Sequence, residues 1–68
     1  MTITIKLNGK DHKLPQDQTI ADLIKDLAID INKVAIEKDL EIILPQNYTK
    51  TNINNGCQIE IVHFIGGG

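Results

Sequence analysis

One stretch of this 68-residue chain has helical apolar spacing, and it limits the fold more than any other feature. Ile20, Leu23, Ile24, Leu27 and Ala28 fall at i, i+3, i+4, i+7 and i+8, a single stripe of about two and a half turns. Such a stripe needs an apolar surface to cover it. The remaining apolar residues alternate with polar ones or sit in short β-branched runs, which is the pattern of strands. With two β-elements before the helix and more after it, the chain is expected to form an α+β domain. A mixed sheet should carry the one main helix on a single face.

The local signals agree. Ile3, Ile5 and Leu7 alternate with Thr2, Thr4 and Lys6, which predicts a half-buried strand. Asn8-Gly9 is a preferred pair for a two-residue hairpin turn, and Lys10 to Leu14 return antiparallel until Pro15 removes a donor. Thr19 is placed to cap the helix and Asp22 to complete a capping box. Val34-Ala35-Ile36 and Glu41-Ile42-Ile43-Leu44 read as two short buried strands. Gln46 to Ile53 is polar and irregular, with Tyr48 as its anchor, and Asn55-Gly56 marks a further turn. The last strand is expected over Gln58 to Ile65, beside the first strand at the sheet centre. The expected core includes Ile3, Ile5, Leu7, Ile20, Leu23, Ile24, Leu27, Val34, Ile36, Ile59 and Ile61.

Size and composition narrow the function. The chain suffices for one small domain. Cys57 is the only cysteine, so no intrachain disulfide exists to brace the core, which suits a reducing cytoplasm. No secretory leader pattern opens the chain and no run approaches a membrane span, so no membrane partner is expected. Net charge is −2 and every basic residue is a lysine, which argues against nucleic acid. His12 and His63 stand apart from any acid or cysteine at ligand spacing, so no metal site is expected. Cys57 reads either as a small residue opening a strand or as a thiol with a role, and no adjacent His or Lys lowers its pKa.

The C-terminus is the unusual part. Ile59-Glu60-Ile61-Val62-His63-Phe64-Ile65 runs straight into Gly66-Gly67-Gly68. Glycine loses the most backbone freedom on ordering, so such a tail does not serve the fold. It reads either as a frayed end or as a slender arm whose carboxylate enters a narrow slot in a partner. If Ile59 and Ile61 face the core, Val62 and Phe64 face outward. Apolar groups there mark a partner-docking patch, with Ile65 at its tail end, unless a twist or bulge buries them.

Three stretches carry a family resemblance. They are Leu14-Pro15 followed by Thr19-Ile20-Ala21-Asp22-Leu23-Ile24; Val34-Ala35-Ile36-Glu37 with Ile42-Ile43-Leu44-Pro45 and Tyr48; and Asn55 to Gly68. Together they resemble the ubiquitin-like β-grasp sulfur carriers, and among these the ThiS family of thiamine biosynthesis. Two departures stand out. Cys57 replaces what is more often an acidic turn residue. Glu37-Lys38 stands where the family often has a polar turn pair, so a differently shaped loop is expected.

The resemblance implies a β-grasp domain over residues 1–65 and a flexible glycine tail over 66–68. It implies a protein cosubstrate, with no catalytic residue of its own and no bound cofactor. A ThiF-like, E1-like adenylyltransferase would use ATP and Mg²⁺ to adenylate the Gly68 carboxylate. A sulfur donor such as a cysteine desulfurase would turn the adenylate into a thiocarboxylate. A ThiG-like thiazole synthase would accept the sulfur. The alternatives are a carrier for molybdopterin or tRNA thiolation, and a β-grasp interaction module with an inert tail.

Overall fold

Asn8 and Gly9 both take positive φ, 51° and 82°, as a two-residue hairpin turn requires. They join β1 (Thr2–Leu7) to β2 (Lys10–Pro15) in an antiparallel pair, with Ile3 opposite Leu14 and Ile5 opposite His12. The computed structural model describes residues 1–64. Helix α1 (Ile20–Asp26) starts where the sequence signals it. The Thr19 hydroxyl accepts from the Asp22 N–H, and the Asp22 carboxylate accepts from the Thr19 N–H at 2.9 Å. That carboxylate also accepts from the Thr19 hydroxyl at 3.1 Å, and its two bonds from Thr19, chiefly the backbone one, hold the Asp22 carboxyl below the usual carboxylate range.

The helix ends at Asp26, two residues before the end of the apolar stripe. Leu27 is the C-cap and Ala28 has φ +55°, so Ala28 is exposed instead of helical. The Ala28 N–H donates to the Lys25 carbonyl and the Ile29 N–H to the Ile24 carbonyl, the two bonds of a Schellman stop. The motif puts an alanine where glycine is usual, and the turned chain drops Ile29 against the core.

After a 3-10 turn at Ile31–Lys33, β3 (Val34–Lys38) pairs antiparallel with β4 (Glu41–Ile43). Glu37 and Lys38 belong to this ladder, opposite Ile42 and Glu41. The turn falls at Asp39-Leu40, both at positive φ. A second 3-10 turn, Pro45–Asn47, opens the irregular segment. That segment straps the helix start, because Ala21 and Ile20 donate to the carbonyls of Tyr48 and Thr51. The Tyr48 ring is buried, and burial raises its phenol pKa.

β5 (Gln58–His63) runs parallel to β1 and antiparallel to β3, giving the order β2-β1-β5-β3-β4. The strand is central, as expected, although its ladder stops at His63. Ile5, Ile36, Ile59 and Ile61 meet Ile20, Leu23 and Ile24 of α1 in one core. Ile3, Leu7 and Leu27 are half-buried at its rim. Leu14, Val34, Tyr48, Ile53 and Cys57 complete it, so Cys57 serves as a small core residue. Among the described residues no helix is long and apolar enough to cross a membrane.

Candidate functional site

The site is built by strand parity. Side chains alternate across a sheet, and paired residues share a face. Ile36 pairs with Ile61 toward the helix, so Ala35 and Val62, which also pair, point to the open face. Glu37 pairs with Glu60 on that same face. Phe64 follows with the same parity, and its N–H donates to the Lys33 carbonyl at 2.9 Å. No bulge buries the pair. Val62 is 50% exposed and Phe64 58% exposed.

The apolar patch is wider than expected. The sequence predicts a buried strand over residues 41–44, but β4 is the sheet edge and only Ile43, opposite Ile36, turns inward. Ile42 stands 71% exposed and Leu44 50% exposed. An apolar hollow of about 320 Å³ links Leu44, Ile42 and Ala35 to Phe64. The sequence signal was available: if Ile43 faces the core, its two neighbours cannot.

The other end of the open face is different. Lys6 of β1 sits opposite Asp11 of β2, and the two side chains pair at 2.6 Å, which keeps the Asp11 carboxyl below its ordinary range. The large apolar groups of the open face therefore gather at β5, β3 and β4, where Glu37 and Glu60 share the face with them. Ile65, Gly66, Gly67 and Gly68 lie outside the described residues. Among the described residues no group of three or more potential ligands could hold a metal ion. His12 is half-buried in β2, and His63 is exposed at the end of β5.

A five-stranded mixed sheet in this order, with one helix across one face, is the ubiquitin-like β-grasp architecture. The chain superposes with a TM-score of 0.85 on the crystal structure of a thiamine biosynthesis protein (ThiS) from Geobacter metallireducens. The alignment covers 97% of this chain and 100% of that one at 22% identity, a likeness of fold. In sequence, residues 4–68 match the ThiS family, and the chain belongs to that family. It is 40% identical to the sulfur carrier protein ThiS of Bacillus subtilis, across 94% of this chain and 98% of that protein. It is also 39% identical to part of a thiazole synthase from Paramagnetospirillum magneticum. That alignment covers 91% of this chain but only 19% of the synthase. A second thiazole synthase, from Magnetococcus marinus, is 36% identical over 20% of its length.

Proposed function

We propose that this protein is a sulfur carrier of thiamine biosynthesis whose reactive group is the Gly68 carboxylate. One observation carries the reading furthest: Val62 and Phe64 stand exposed on the open face of the strand that leads to the terminal glycines. Apolar groups of that size are exposed at a cost unless a partner covers them. A partner seated there holds the C-terminal segment beside its own active site.

The chemistry then belongs to the partners. An E1-like, ThiF-like adenylyltransferase binds ATP and Mg²⁺. The Gly68 carboxylate attacks the α-phosphorus and displaces pyrophosphate. The resulting acyl carbon carries AMP as its leaving group. The terminal sulfur of a persulfide, formed by a cysteine desulfurase or an equivalent donor, attacks that carbon and expels AMP. A second thiol then takes the donor's remaining sulfur as a disulfide, leaving –COSH. Gly66, Gly67 and Gly68 serve this sequence by having no side chain to obstruct a narrow channel. A ThiG-like thiazole synthase accepts the sulfur. The two thiazole synthases that contain a segment similar to this chain support that acceptor over molybdopterin or tRNA.

Intact-mass measurement on protein purified from its own cell tests the reading. A fraction should be heavier by the difference between sulfur and oxygen, and fragmentation should place that difference at Gly68. Protein that carries no sulfur even when the desulfurase and activating enzyme are active would favour the inert-tail module.

A further inference from the structure

Asn8 does more than form a turn. β1 ends at Leu7, opposite Ile59, so its backbone reaches no further along β5. The Asn8 backbone N–H donates to the Ile59 carbonyl at 2.9 Å. Its side chain then takes the place of the residue β1 lacks. The carboxamide Oδ1 accepts the Ile61 N–H at 2.8 Å, and Nδ2 donates to the Ile61 carbonyl at 3.4 Å. A carboxamide has the same donor and acceptor as a peptide group, so it continues the ladder by one step. Among the described residues this is the last tether on the β1 side of β5. Beyond it Val62 and Phe64 are held from the β3 side alone, through the pairing with Ala35 and the bond to Lys33.

We propose that Asn8 is a positioning residue for the carrier reaction. By clamping Ile61 it fixes the direction in which Val62 and Phe64 project and the point from which the C-terminal segment departs. This rests on the sulfur-carrier reading above. The argument is geometric. Val62 and Phe64 move with β5, whereas the exposed Ile42 and Leu44 lie at β4 beyond β3, so a swing of β5 about its β3 edge displaces the C-terminal segment relative to the part of the open face that stays in place. A displacement of about 1 Å at a reacting group lowers a rate by up to about 100-fold. Loss of the clamp therefore acts on turnover more than on binding.

Two substitutions separate positioning from folding. Asn8→Gly keeps the positive φ and the turn but removes the carboxamide. Asn8→Asp also suits the turn and keeps an oxygen to accept the Ile61 N–H. Each chain is assayed below its unfolding transition in carrier-dependent ATP–pyrophosphate exchange with its activating enzyme. Amide hydrogen exchange is followed in parallel. For Asn8→Gly, kcat should fall about tenfold with KM changed less than about twofold. The Ile61 amide should exchange faster, while the β3-bonded Val62 amide stays protected. Asn8→Asp should recover most of kcat. An Asn8→Gly chain with native kcat overturns the assignment. So does an Asp variant no better than the Gly variant, or a loss confined to KM. Absence of exchange with the native chain is a different failure: it removes the carrier reading itself, and this inference with it.

Discussion

Both faces of the sheet carry large apolar side chains, and on the two faces these have opposite fates. On the covered face Ile5, Ile36, Ile59 and Ile61 lie under α1 and are almost wholly shielded from water. On the open face Ile42, Leu44, Val62 and Phe64 are half or more exposed. The covered face has a helix whose stripe matches it. Among the described residues nothing covers the open face, and its apolar groups gather at the β5–β3–β4 end, away from the Lys6–Asp11 pair. Hydrophobicity alone therefore does not distinguish a buried residue from an exposed one in this domain. Parity does, because a shift of one position along a strand reverses the face.

The comparison predicts that damage to the covered face destroys the fold. Leu23→Ala removes a fully buried side chain from the helix stripe and should cost about 2–5 kcal/mol, a large share of the stability of a domain this small. Chemical denaturation measures it, and a loss under about 1 kcal/mol would mean the core is not where the structure puts it. A smaller effect of opposite sign is expected where the helix ends. Ala28→Gly relieves a left-handed alanine and should raise stability by about 0.5–1 kcal/mol, after the entropy glycine adds to the unfolded chain.

The helix start should respond to pH. Because the folded chain depresses the Asp22 pKa, this group stabilises the fold above the ordinary carboxylate range. That contribution is lost as pH falls through the depressed value. Asp22→Asn should remove this part of the acid sensitivity, and denaturation midpoints of the two chains should converge at low pH. The smallest effect concerns the open face itself. Glu37 and Glu60 sit directly opposite each other, and like charges so placed repel. Glu60→Gln should stabilise the free chain by about 0.2–0.5 kcal/mol, an effect that shrinks in salt. A stability loss there would mean that Glu60 makes a contact beyond this repulsion.

Much of this was readable beforehand, for local reasons. The Asn8-Gly9 turn, the Thr19–Asp22 capping box and the core stripe depend on residues a few positions apart. The features that escaped depend on distant partners or on residues that break a local rule. Asp39-Leu40 turns the β3–β4 hairpin although leucine rarely adopts positive φ, and the pairing of Glu37 and Lys38 with β4 forces the turn to that position. The Asn8 clamp joins residues 53 apart in sequence. Exposure of Ile42 and Leu44 follows from β4 being an edge, which no single strand announces. Of the site, the exposed apolar pair Val62 and Phe64 was visible by alternation, and the extension of the patch onto β4 was not.

The central claim is that the open face docks the carrier while the C-terminal carboxylate reacts. ATP–pyrophosphate exchange by the activating enzyme tests it most directly, with three chains compared side by side. The intact chain should support exchange. Phe64→Asp places a charge in an apolar contact without touching the core, so it should fold normally and lose about thirtyfold or more. A chain lacking Gly68 has an arm shortened by roughly 3.5 Å and should give no exchange above background. Exchange at the intact rate from the Phe64→Asp chain and from the shortened chain would contradict the account.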